Sequence, residues 1–147
     1  MSEENKTNAM EEKPESVQTE DKKETLQAKT GKKERKKDML VDFNEFQEIT
    51  IAGMNGGTGM MSTKMFMDEQ GKIIHTKIHS GGSIGMHKHE TSDDINYVIS
   101  GEGKAICDGQ EEILRTGVCH ICKRGSEHGI TNTGKDDLVL MTVVVER

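Results

Sequence analysis

The chain has no tryptophan, one tyrosine and three phenylalanines in 147 residues, so it cannot line a broad aromatic box. A small polar or organic-acid ligand therefore suits any cavity it forms better than a large planar one. It has a single proline, Pro14, which leaves its turns to the 16 glycines. It has three cysteines, an odd number without a framework spacing, which predicts free thiols in a reducing compartment. No stretch approaches the roughly 18 consecutive apolar residues that span a bilayer. The first 38 residues also lack the apolar core of a secretion signal. The expectation is a cytoplasmic protein with no membrane partner.

What the chain does have is charge, unevenly placed. Hydrophobic and charged residues each make up 31%. Of the 20 Lys/Arg and 26 Asp/Glu, 10 and 10 lie within residues 1–38, where Val17 and Leu26 are the only large aliphatic side chains. Such a segment cannot bury enough apolar surface to offset the entropy of ordering it, and we read residues 1–38 as a disordered charged tail. Its basic cluster from Lys29 to Lys37 is read as a solvated charge run, with an RNA backbone or anionic membrane surface as the alternative partner. Met39, at the end of this segment, offers an alternative start of synthesis. Residues 39–147 hold the remaining 10 Lys/Arg and 16 Asp/Glu, so the formal charge of -6 belongs to them. An acidic body argues against nucleic acid as a partner of the folded domain.

Short apolar runs separated by turn signals fill residues 39–147 and predict an all-β sandwich or barrel. The expected strands are 48–52, 62–67, 72–79, 84–89, 95–100, 104–108, 112–115, 118–122, 128–132 and 138–146. Asp108-Gly109, between two such runs, suits a type I′ hairpin turn. The glycine-rich stretch 53–61 lacks the Lys-Ser/Thr ending of a phosphate loop and is read as a flexible loop over the barrel mouth, its methionines forming an adaptable apolar lid. Cys119 and Cys122 form a CxxC, but residues three apart on a strand point to opposite faces, which favours core packing over a metal or redox role.

The chemistry concentrates between Gly81 and Asn132. His87 and His89 are two apart, so on a strand their side chains leave the same face. Asp94 follows a polar turn at the head of the run Ile95–Ile99, where it can return beside them on the neighbouring strand. His128 is a fourth candidate ligand further along. If Asp94 faces inward, so do Asn96 and Val98; if His128 does, so do Ile130 and Asn132. Asn96 is thus a candidate for substrate contact.

The two stretches resemble the paired signatures of the cupin family, G-x5-HxH-x4-E-x6-G and G-x5-P-x-G-x2-H-x3-N. Gly81, His87, His89, Gly101, Gly117, Gly125, His128 and Asn132 match in type and spacing. Asp94 stands where the family has Glu, and Lys123 where it has Pro. The resemblance implies a small jelly-roll β-barrel over about residues 43–145, with His87, His89, Asp94 and His128 holding one divalent transition metal ion inside it. Imidazoles with a carboxylate suit Fe, Mn, Ni, Cu or Zn, and ligand type alone does not choose among them. Asp94 is one methylene shorter than Glu, and either direct or water-bridged contact with the ion is expected. Lys123 in place of Pro should loosen its turn, or it attracts an anion at the rim. His75, His79 and His120 match no family ligand position and are read as ordinary surface or core residues.

The resemblance also implies a homodimer paired through its sheets and a small-molecule ligand. Two functions fit: a metal-dependent dioxygenase, isomerase or decarboxylase, or a non-catalytic module that binds a metal or small ligand. No general acid or base beyond the ligands is recognisable in the sequence.

Overall fold

The structure, a computed structural model, describes residues 40–147; the expected charged tail and the alternative start at Met39 lie outside them. Ten antiparallel strands account for most of this length: β1 (Ile49–Ala52), β2 (Met60–Asp68), β3 (Gly71–Ile78), β4 (Ser83–Lys88), β5 (Ser92–Ser100), β6 (Glu102–Cys107), β7 (Gln110–Arg115), β8 (Cys119–Cys122), β9 (Glu127–Asn132) and β10 (Leu138–Glu146). Each of the ten expected runs becomes a strand. Six form one sheet in the order β1-β2-β3-β10-β5-β8, and four form the other in the order β4-β9-β6-β7. No helix among the described residues is long and apolar enough to cross a membrane.

Turn chemistry sets the hairpins. Asp108 and Gly109 have φ of 47° and 80°, both positive as a type I′ turn requires, and they close β6 onto β7 with Cys107 opposite Gln110. At Gly101, φ is 90° and an added Cβ would lie 2.4 Å from the Asp137 carbonyl oxygen, so a side chain is excluded on both counts.

Pleat alternation divides the barrel interior lengthwise. On β10 the inward residues are Leu138, Leu140, Thr142 and Val144, and on β5 they are Asp94, Asn96 and Val98. Val98 lies opposite Leu140, Asn96 opposite Thr142, and Asp94 opposite Val144. The interior thus passes from an apolar plug, completed by Ile78, Leu114, Ile130 and Ala105, to a polar end. Asn132 holds the plug's edge. Its buried amide donates to the Ile78 and Asp136 carbonyls at 2.7 and 2.8 Å, and its carbonyl accepts from the Gly134 N–H at 2.8 Å. Asn132→Ala leaves these groups unpaired and is expected to destabilise by about 2 to 4 kcal/mol, read from urea unfolding.

The glycine-rich stretch does not form the expected lid. It makes a 3-10 turn at Met54–Gly56 whose Met54 packs against the core. A Cβ on Gly85 would meet the Asn55 carbonyl oxygen at 2.2 Å, and one on Gly57 would meet that of Ser83 at 2.2 Å. The glycines serve backbone-to-backbone contact between this segment and β4.

Candidate metal centre

The polar end of the barrel brings all four expected ligands together. His87 lies on β4 directly opposite His128 on β9, and the pairing of β4 with β9 shifts register between Ile84 and His87. His89 follows the end of β4, where its N–H donates to the Ser126 carbonyl and its own carbonyl accepts from the Gly125 N–H. Asp94 arrives differently from the expectation. Its strand, β5, belongs to the six-stranded sheet, so the carboxylate meets the histidines across the barrel interior and not from a neighbour in one sheet. The carboxylate beside it, Asp93, points away and accepts from the Arg124 N–H and the Arg147 guanidinium. Lys123 lies 3.8 Å from Asp93, which engages it within the chain.

The Nε2 atoms of His87, His89 and His128 stand 3.1 to 3.2 Å from one another. Asp94 Oδ2 lies 3.1 Å from His128 Nε2 and 3.4 Å from His89 Nε2. Ligand atoms that bind one ion at about 2.1 Å and at right angles are about 3 Å apart, so these separations fit a single transition metal ion. The donor set fits too. The Gly85 carbonyl accepts from His87 Nδ1–H at 2.9 Å, which leaves the Nε2 lone pair aimed inward. His89 Nδ1 rests 3.3 Å from the Ser92 hydroxyl. The second carboxylate oxygen of Asp94 is buried and unpartnered. Asp94 and His128 are buried, whereas His87 and His89 are partly exposed, so the cluster opens on their side.

Asn96 sits behind Asp94. Its carbonyl accepts from the Thr142 hydroxyl at 2.7 Å, and its buried N–H group makes no well-aligned hydrogen bond. The amide still lies near enough to Asp94 to affect its charge. Burial pushes the Asp94 carboxyl up, but the His128, Asn96 and His89 side chains beside it outweigh burial and hold the group below the usual carboxylate range. Burial also lowers His87 and His89 below the ordinary 6.5, against the opposing pull of Asp94.

The sign follows from these directions. Imidazoles more acidic when folded than unfolded stay neutral at 6.5, and their protonation opposes folding only as the pH drops below that value. Asp94 contributes stability above 3.8 that is lost as the pH falls through its lower folded value. Since a ligand imidazole must be neutral and burial moves the protonation of His87 and His89 to lower pH, the affinity for Co2+ is expected to fall as the pH drops through their lowered values, below 6.5, as read by competition titration.

His120 is the residue that the sequence did not single out. It is fully buried, 2.8 Å from the inner nitrogen of His128 and 2.6 Å from Glu112. His79 joins Ser62 and Asp137 through bonds of 2.8 and 2.9 Å, a serine–histidine–aspartate connectivity. Ser62 is buried and shares its hydroxyl with Thr50, so this network ties β1, β2 and β3 to the start of β10. The two thiols of the CxxC diverge: Cys119 is exposed and Cys122 buried. Cys122 lies opposite Asp94, and burial pushes its thiol up to about 12, away from the reactive thiolate form.

Comparison with known proteins accords with this geometry. The family profile described as "Cupin domain" matches residues 74–144. The chain is 29% identical over 113 residues to the oxalate-binding protein of Thermotoga maritima, covering 73% of this chain and 93% of that one. It is 30% identical over 67 residues to the pectin degradation protein KdgF of Dickeya dadantii, covering 45% and 61%. Among solved structures it resembles a "predicted oxalate decarboxylase" from Thermotoga maritima, with 28% identity, a TM-score of 0.70, and coverage of 74% of this chain and 100% of that one. Signature spacing, barrel topology and these likenesses converge, and the chain belongs to the cupin superfamily.

Proposed function

We propose that this cupin holds one divalent transition metal ion at His87, His89, Asp94 and His128, and binds through it a small carboxylate of the oxalate type. The observation that carries the reading is the convergence of three imidazole nitrogens and a carboxylate oxygen, all within 4.8 Å of one another, in a cluster open on one side. Likeness to an oxalate-binding protein over 93% of that protein's length supports the ligand class. A bound divalent ion supplies a Lewis acid with positions left for an anion's oxygens. His87 and His89 border the open side, and the Asn96 N–H group is placed to orient Asp94 or to meet the ligand. We favour binding over turnover because Asn96 and Ser92, which adjoin the ligands, supply no general acid or base, and the titratable His120 and Cys122 beside the ligands are fully buried.

Elemental analysis of protein purified without a chelating tag, followed by calorimetry with oxalate, tests the reading. One equivalent of metal and oxalate binding that requires it are expected. Failure to take up Mn, Fe, Co, Ni, Cu or Zn on reconstitution would sink it. Release of carbon dioxide and formate would replace binding by turnover.

We further infer that a second copy of the chain covers the outer face of the six-stranded sheet. Tyr97, Ile99 and Ile121 are 40 to 48% exposed there, and Tyr97 lies beside Met141 in register. Light scattering at micromolar concentration is expected to give the mass of a dimer, and a monomer would end the idea.

A further inference from the structure

The tautomer of His87 is fixed by the carbonyl two residues before it. His128 has no such local anchor. Its ring is fully buried, and its Nδ1 lies 2.8 Å from Nε2 of His120, whose Nδ1 in turn lies 2.6 Å from Glu112 Oε2. The two rings stack with centroids 5.0 Å apart and planes 23° apart. His120 comes from β8 in the six-stranded sheet, while Glu112 and His128 come from β7 and β9 in the other. The His120 ring is enclosed, and the Glu112 side chain is 48% exposed.

We propose that Glu112 and His120 are positioning residues that set, from the protein surface, which nitrogen of His128 carries the proton and so leave its Nε2 lone pair free for the metal. The inference rests on the metal-centre reading above. An ionised carboxylate accepts hydrogen bonds and donates none, so the short contact to Glu112 places a proton on His120 Nδ1. With one proton per ring, His120 Nε2 is then an acceptor, and His128 must carry its proton on Nδ1 to meet it. What remains is the His128 Nε2 lone pair, aimed at His87, His89 and Asp94.

The opposite arrangement has a competitor's claim, because Asp94 Oδ2 lies 3.1 Å from His128 Nε2 and could accept a proton held there. His128 Nδ1 would then need a proton from His120 Nε2, while Glu112 still requires one on His120 Nδ1. Only a doubly protonated His120 satisfies both, so the relay opposes the tautomer that blocks the metal. A hydrogen-bonded carboxylate behind a ligand histidine also raises the ligand's basicity, and here the effect is passed through a second ring.

The test uses the full chain labelled with 15N-histidine, metal-free at neutral pH, together with a Co2+ titration. In the wild type, His128 is expected to show a protonated Nδ1 and a free Nε2. Glu112→Gln substitutes an amide that can donate as well as accept. It is expected to give His128 a mixed tautomer and to weaken Co2+ binding about 10-fold. His120→Phe keeps a ring in place without nitrogens and is expected to weaken binding up to about 100-fold. Glu112 is the more exposed of the two, so Glu112→Gln, with an unfolding midpoint measured alongside, is the deciding variant. Unchanged 15N signals and unchanged Co2+ affinity in Glu112→Gln would overturn the relay. If the wild type binds no Co2+ but its His128 tautomer still follows Glu112, the relay stands and the metal reading falls.

Discussion

His128→Ala is expected to weaken Co2+ binding more than about 100-fold, beyond the 10- to 100-fold that loss of an outer partner costs, because it removes a ligand itself. The same substitution should destabilise the metal-free protein by about 2 to 4 kcal/mol. It empties a fully buried site and leaves His120 Nε2 without its partner. His87→Ala separates the two effects. His87 is partly exposed and its ring meets the backbone only at Gly85, so its removal should cost metal to a similar degree and stability by no more than about 1 kcal/mol. Co2+ titration and urea unfolding of both variants read the split. Unchanged Co2+ affinity in His87→Ala would show that His87 is not a ligand.

The ligand set was legible because it is written at short range. The two-residue step of HxH along extended backbone puts both rings on one face, and the five-residue step to Asp94 and the glycine spacing fix the rest of the signature. Which sheet β5 joins was not legible, since pairing partners are chosen by contacts between β5, β8 and β10 that lie far apart in the chain. The same limit hid His120. In the run Cys119-His120-Ile121-Cys122, alternation puts His120 and Cys122 on one face and Ile121 on the other. Hydropathy argues for burying isoleucine, yet Ile121 is 43% exposed and His120 is fully buried. The reversal makes sense only once His128 and Glu112 are seen to satisfy both ring nitrogens, and an exposed apolar Ile121 suits a face that a second chain would cover. The glycine-rich stretch 53–61 failed for a related reason. Glycine reads locally as freedom, whereas Gly57 and Gly85 are small because two backbones meet there.

Leu140→Ala is expected to cost about 2 to 5 kcal/mol, the range for truncating a fully buried leucine whose surroundings relax only in part. Leu140 is fully buried on β10, between Thr76 of β3 and Val98 of β5, at the centre of the larger sheet. Neither neighbouring strand can move inward without breaking its ladder to β10, so the cavity should persist. The metal centre should not feel it. Along β10 the Leu140 layer is four residues from Val144, which faces Asp94, a distance of about 13 Å on an extended strand. The Asn96–Thr142 hydrogen bond stands between the two layers and is independent of the leucine. Co2+ affinity is therefore expected to stay within about threefold of the wild type, since sites this far apart with no shared partner act independently. Urea unfolding and Co2+ titration on the same preparation decide the matter. A loss of stability with intact metal binding means that the apolar plug and the polar end of the barrel are separable. A joint loss of both would mean that the ligands depend on the plug's packing for their position.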